Sequence, residues 1–156
     1  MKVTPPPRPK PGRHTPVMAK RMRALESLRA KFEGKPYQPG INDCAKLVRP
    51  LLVKMGHIKV PKPRPYKNAI GAKRELTRLG FKSLEEMMDS LLPRITPASM
   101  LPGDIGLVQA DPDGELGDET MVVALGSDKF WGWHPDQVEL AVLVIQPDDI
   151  KAAWRT

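Results

Sequence analysis

The single cysteine of the chain, Cys44, follows Asn42 and Asp43 and precedes an apolar stretch. Either Asn42 or Asp43 can accept a hydrogen bond from a first helical turn, so this pattern predicts a helix with Cys44 in its first turn. A thiol there faces the positive end of the helix dipole, which stabilises the thiolate and lowers the thiol pKa. A cysteine nucleophile requires such a thiolate, with Asp43 as the helix cap beside it. The alternative is that Cys44 is a small buried apolar residue.

A cysteine nucleophile also needs a general base, and the sequence offers three histidines. His57 comes at the far end of the cysteine helix, about 20 Å from Cys44 at roughly 1.5 Å per residue, which is too far for a hydrogen bond. His14 lies in a proline-rich stretch, where we expect it to be solvated. His134 is therefore the candidate displaced base, and the alternative is a turn histidine that precedes Pro135.

Other ligand-binding chemistry has weaker support in the sequence. The loop 111–119 carries five carboxylates, but it is too short for an EF-hand and places Gly114 fourth. A solvated acidic turn is the expectation, with adventitious calcium as the alternative. Phe130, Trp131 and Trp133 could stack on a sugar or a base, although strand alternation places at least one of them in the core. We expect no metal and no cofactor.

Length and composition indicate one globular domain with an appended arm. The chain has 156 residues, of which 40% are hydrophobic and 28% charged. No apolar run approaches the roughly 18 residues of a membrane span, and the N-terminus lacks the apolar segment of a secretory signal. One cysteine excludes an intramolecular disulfide and a multi-cysteine zinc site, which fits a reducing cytosol.

The net charge of +7 is divided unevenly along the chain. Residues 1–82 hold 21 Lys and Arg against 4 Asp and Glu, a net charge of +17, whereas residues 83–156 hold 4 against 14, a net charge of −10. The basic half favours an anionic partner, such as a nucleic acid, an anionic polymer or an acidic protein. The alternative is that the two halves attract each other within one fold.

The N-terminal third divides into three parts. Residues 1–16 carry six prolines among basic residues and predict an extended, polyproline-like arm. Residues 17–34 predict an amphipathic helix, in which Arg21 and Arg29 lie near the apolar stripe and extend their charges outward. Residues 35–156 form the main domain.

Within the main domain, helices precede strands. Helices are expected after Asp43, with a kink or a shifted start at Pro50, and at 68–79 and 83–92. Short strands are expected at 105–108, 121–125, 129–133 and 138–145, as an antiparallel meander. Residues 148–154 are interpreted as one or two last helical turns. This order predicts an α+β domain, with N-terminal helices packed on a small antiparallel sheet.

Several motifs resemble those of one enzyme superfamily. The run from Gly40 to Val48, containing Asn-Asp-Cys, and the later Pro-Gly-Asp strand at 102–108 resemble the NlpC-type peptidases, which are papain-like cell-wall enzymes. Residues 37–156 are similar to a phage- and prophage-encoded, tail-associated branch of this superfamily. The further matching residues are Gly71, Ala72, Leu76, Arg78, Gly80, Ala153, Trp154 and Arg155. The resemblance implies a papain-like fold with Cys44 at the nucleophile position.

The same resemblance implies that the catalytic partners of Cys44 are lost. The family's base is a histidine at the start of the next strand, and that position falls on Thr120, which has no nitrogen to accept a proton. The family's third polar residue falls near Gly132. A retained Asp43 and Cys44 without these partners predict a degenerate active site.

Three functions follow as hypotheses. The first is a structural component of a bacteriophage or phage-like tail, at the tail tip, made and assembled in the bacterial host cytoplasm. It would bind other tail-tip proteins through residues 1–34, with peptidoglycan as a further partner, without nucleic acid and without membrane insertion. The second is an active cysteine peptidoglycan endopeptidase that uses Cys44 and His134. The third is a binder of nucleic acid or another anionic polymer through the basic half, ranked last because its charges are spread over several elements.

Overall fold

The computed structural model describes Thr4 and residues 15–110 and 118–156. Most of the expected arm at 1–16 therefore lies outside the described residues. Within them, the helices come first: α1 is Thr15–Phe32, α2 is Cys44–Lys54, α3 is Ala69–Arg78 and α4 is Leu84–Leu91. The strands follow: β1 is Arg94–Ile95, β2 is Ile105–Gln109, β3 is Glu119–Gly126, β4 is Lys129–His134, β5 is Gln137–Val144 and β6 is Ile150–Trp154. The α+β class is confirmed.

The strands form one antiparallel sheet in the order β1-β6-β2-β3-β4-β5. The meander from β2 to β5 is confirmed, with strand ends shifted by at most two residues from the expected ones. The helices expected at 68–79 and 83–92 are confirmed as well, capped by the side chains of Asn68 and Ser83. The α2 helix continues through Pro50 from Cys44 to Lys54.

The helix expected at 148–154 is wrong, because this segment is the strand β6. A single helical turn, Pro147–Asp149, precedes it, and β6 then pairs with β1 on one side and with β2 on the other. Both faces of such an inner strand are covered, so four of its five residues are buried. That continuous burial hides the polar alternation by which a strand is usually recognised.

Two apolar clusters lie on the two faces of the sheet. The larger joins buried residues of α1, α2 and α4 to the inner face of the sheet, where Leu107, Met121, Trp133 and Trp154 are buried. The smaller covers the other face and includes Val122, Phe130 and Ile150. The helices therefore pack on one face of the sheet, and this packing places the start of α2 beside β3.

The α1 helix belongs to the larger cluster, to which it contributes Ala24, Leu25, Leu28 and Phe32. The expectation that Arg21 extends its charge outward is wrong. Its side chain is buried and forms an ion pair of 2.9 Å with Asp104, which is also buried. Arg29 does remain exposed, where it pairs with Glu26 and Glu33.

No helix in the described part of the chain is long and apolar enough to cross a membrane.

Candidate functional site

Asp43 fixes the start of α2. Its backbone is extended, and its side chain accepts hydrogen bonds from the backbone N–H groups of Lys46, at 2.9 Å, and of Gly40, at 2.7 Å. The Asp43 carboxylate therefore caps the helix and closes the preceding loop at the same time. Of the two candidate caps, Asn42 and Asp43, the structure selects Asp43.

Tyr66 binds the same carboxylate from the proline-rich segment between α2 and α3. Its hydroxyl donates a hydrogen bond of 2.6 Å to Asp43, and burial, followed by this bond, raises the pKa of Tyr66 well above its ordinary value. The backbone of Tyr66 passes so close to Gly40 that a side chain at position 40 would collide with the Tyr66 carbonyl. Gly40 also has a positive φ of 81°, so this approach requires glycine.

Cys44 follows as the first residue of α2 and is half-buried. Burial and, second, the neighbouring Asp43 carboxylate raise the pKa of its thiol from 9.0 to about 11. Hydrogen bonds from the Met121 backbone, the Thr120 side chain and the Ala45 backbone oppose this rise only in part. The expectation of a lowered thiol pKa at the helix N-terminus is therefore wrong.

Thr120 lies at the position where the resemblance places the catalytic histidine. It is buried near the start of β3, and its hydroxyl donates to the Cys44 thiol. A hydroxyl at this place can donate a hydrogen bond but cannot take up the thiol proton at neutral pH.

Gly132 lies elsewhere. A Cβ at this position would point at Val122 and Leu143, in the cluster on the outer face of the sheet, and so away from the face that carries α2. A polar side chain at position 132 would thus not reach the thiol from this backbone.

The structure does not bring the candidate base His134 to the cavity that opens beside Cys44. His134 ends β4 as an exposed residue, and its Nδ1 accepts a hydrogen bond of 3.1 Å from the Asp136 backbone within the β4–β5 turn. His57 follows the C-terminal end of α2, at the opposite end of the helix from Cys44. His14 lies outside the described residues.

A cavity of about 380 Å³ opens beside Cys44. It is bounded by α2, the segment 60–66, α3, α4 and the start of β3, and its walls are mostly aliphatic. Arg49 lines it together with Cys44 and Tyr66, and the Nε atom of Arg49 is buried with no hydrogen-bond partner among the described residues. No histidine in the described part of the chain lines this cavity.

The other ligand-binding candidates form no site among the residues that the structure describes. Residues 111–117 of the acidic loop lie outside the described residues, and no three potential metal ligands come together in the remainder that the structure describes. Trp133 is buried edge-on against Phe32 and Tyr37, and Phe130 is buried on the other face. These two rings are part of the core, while Trp131 is only half-buried.

Sequence reasoning missed Tyr66 and Arg49. Tyr66 is 23 residues from Asp43, and no periodicity connects them. Arg49 lies in a largely apolar helix, where a charged residue usually faces solvent. Only the approach of α3 and α4 makes it a cavity residue, so no local signal could have identified it.

The helix α2, which begins at Cys44, packs on one face of the antiparallel sheet, and this arrangement fits a papain-like α+β fold. Among solved structures, the chain is similar to the peptidoglycan hydrolase RipB from Mycobacterium tuberculosis, with a TM-score of 0.52. The match covers 94% of this chain and 72% of that chain at 15% sequence identity, so it establishes the fold alone. Residues 18–156 match the model of a family described as a domain of unknown function, DUF6950, and the chain belongs to that family. No curated protein sequence matches.

Proposed function

We propose that this protein is a structural component of a bacteriophage or phage-like tail, at the tail tip, on an NlpC-type scaffold without peptidase activity. The observation that carries the loss of activity is the hydrogen bond from Thr120 to Cys44. The sequence resemblance assigns the place of the family's base to Thr120, and the thiol pKa of about 11 leaves only about one thiolate in ten thousand at pH 7. The tail assignment is supported by the sequence resemblance to tail-associated relatives.

The loss of activity is tested on purified peptidoglycan. Wild type and Cys44→Ala are incubated with it, and the released muropeptides are read by mass spectrometry. We expect no release by either protein. Release by wild type alone would establish the second candidate, a cysteine endopeptidase, for which the specific support is that Cys44 lines an open cavity. A Thr120→Val variant then reports whether the neighbouring hydroxyl contributes to any activity.

Docking to other tail-tip proteins is proposed for residues 1–34. Support comes from the first half of α1, where Val17, Met18 and Met22 are exposed although the second half of the helix is buried in the core. An exposed apolar group next to a basic segment fits an interface with an acidic partner. We place the protein in the virion, after assembly in the bacterial host cytoplasm.

The tail role is tested on particles purified from a producing host. Mass spectrometry of the particles should detect the protein, and immunogold labelling should place it at the tail tip. Particles that lack the protein, while it is abundant in the same lysate, would contradict the proposal.

A further inference from the structure

The α3 helix lies over the Cys44 cavity without packing into the core. It has no buried residue, and although Ile70 is 66% exposed, its other apolar residues share one face. Ala69, Ala72, Leu76 and Leu79 recur at helical spacing, and all four line the cavity. The apolar face of α3 is therefore directed at open space where a helix of this kind usually contacts side chains.

The opposite walls are also apolar. They include Val48, Leu52, Leu84, Met87 and Leu91. A space of 380 Å³ would hold about a dozen waters at about 30 Å³ each, but aliphatic walls offer such waters few hydrogen bonds. These walls therefore fit an apolar occupant better than solvent. Methionine side chains such as Met87 can adapt to the shape of such a ligand.

Arg49 supplies one cationic group within this apolar site. It forms no ion pair with a described residue, and because its Nε is buried, a ligand in the cavity would have to meet the Nη groups. The two Nη groups of a guanidinium form a planar pair of donors that matches the two oxygens of a carboxylate.

The charges around Arg49 favour an external anion. Lys73 and Lys82 line the cavity as exposed side chains, and neither forms an ion pair with a described residue. Four carboxylates line the cavity, and three of them are already bound: Asp43 by Tyr66 and two backbone N–H groups, Glu75 by Arg78 and the Arg64 backbone, and Glu119 by Lys151. The fourth, Asp118, is exposed. None of these forms an ion pair with Arg49.

We propose that this cavity binds an aliphatic monocarboxylate, with the hydrocarbon chain under α3 and the carboxylate on Arg49. A polar peptide would leave its amide groups unpaired against the aliphatic walls, which disfavours it. This inference is independent of the tail-tip role, because it requires neither a tail partner nor catalysis.

The test is isothermal titration calorimetry with dodecanoate, below its aggregation threshold, and with dodecanol as the neutral analogue. We expect wild type to bind one dodecanoate per chain. Arg49→Met should weaken dodecanoate binding at least tenfold and leave dodecanol binding unchanged. The matched control is Arg74→Met, which removes the same charge from an exposed residue of α3 that does not line the cavity.

A second variant tests the position of the chain. Met87→Trp fills the cavity from α4, so it should abolish binding of both ligands while circular dichroism confirms the fold. The proposal is overturned if wild type binds no dodecanoate, if Arg49→Met and Arg74→Met bind it equally, or if folded Met87→Trp binds it as wild type does. The peptidoglycan and particle assays have separate readouts, so this proposal and the proposed function can fail independently.

Discussion

The pKa of the Cys44 thiol results from opposed effects at the scale of single residues. The helix N-terminus and three hydrogen bonds favour the thiolate, whereas burial and the Asp43 carboxylate disfavour it. The second pair of effects is stronger, and the thiol is protonated at neutral pH. The carboxylate that caps the helix is thus also one reason why the thiol is unreactive.

Replacement of Asp43 by Asn should lower the pKa of Cys44. The amide oxygen can still accept the Lys46 N–H, while the negative charge beside the thiol is removed. Burial remains, so we expect a value between 9.0 and about 11. The rate of iodoacetamide alkylation against pH measures it, without background from other cysteines, because Cys44 is the only one.

Asp128→Asn is the matched control for this measurement. Asp128 lies in the β3–β4 turn at a φ of 60°, which asparagine tolerates, and it makes no contribution to the thiol pKa. An alkylation profile of Asp43→Asn that matches those of wild type and Asp128→Asn would contradict the assigned role of the carboxylate.

The same pKa predicts a loss of stability in alkali. The thiol of the unfolded chain ionises near pH 9.0 and that of the folded chain near pH 11, so its contribution is complete below pH 9 and is lost as pH rises toward 11. At pH 10 the loss is about 1 kcal/mol. The raised pKa of Tyr66 acts in the same direction at higher pH.

Urea unfolding of wild type and Cys44→Ala at pH 8 and pH 10 measures this loss. Wild type should lose about 1 kcal/mol more than Cys44→Ala over this interval, because alanine has no proton to release. Equal losses in the two proteins would mean that the folded thiol ionises as readily as the unfolded one.

At the scale of elements, Asp104 joins three distant parts of the chain. Its carboxylate pairs with Arg21 of α1 and with Arg155 after β6, and accepts the Leu101 N–H before β2. Arg21 also donates to the carbonyl of Thr156, at 2.8 Å. The Pro-Gly-Asp and Ala-Trp-Arg motifs therefore hold the first helix and the last strand together, and their retention reflects the scaffold.

Asp104→Ala should destabilise the protein by about 3 kcal/mol or more, because it leaves the buried Arg21 without a counter-charge. The matched control is Glu26→Ala, which removes an exposed partner of Arg29 and should change the free energy of unfolding by less than about 0.5 kcal/mol. Urea midpoints for both variants measure the difference. Similar midpoints would contradict the central role of Asp104.

The sequence predicts the elements whose signals are local, and it fails to predict those that depend on contacts between distant residues. Caps and periodicity identify α2, α3, α4 and the β2–β5 meander, because those signals lie within each segment. The strand β6 is missed because its pairing with β1 and β2 depends on residues 42 or more positions away. For the site, the sequence identifies Cys44 and Thr120, whereas the buried Arg21 and the cavity residue Arg49 depend on tertiary packing.

At the scale of the whole molecule, basic and acidic halves are joined in one fold. Among the described residues, one ion pair joins residues 1–82 to residues 83–156: Arg21 pairs with Asp104, and both side chains are buried.

 Every other ion pair of the described residues lies within one of the two halves. Most of the basic charge is therefore not neutralised by direct pairing across the halves, and it stays available to an acidic partner.

The exposed apolar group on α1 gives the docking proposal its sharpest test. Val17, Met18 and Met22 are exposed by 56%, 37% and 51%, so their replacement by serine should change the free energy of unfolding by less than about 0.5 kcal/mol each. If they anchor the protein in a tail, the triple serine variant should be incorporated into particles at least about tenfold less than wild type, because interface anchors carry most of the binding energy. Quantitative mass spectrometry of purified particles measures this ratio. The matched control replaces Ile58, Val138 and Val144, which are also exposed but lie outside α1, and it should be incorporated normally. Equal incorporation of the two triple variants would mean that α1 does not hold the protein in the particle, and the docking surface would then have to lie elsewhere on the chain.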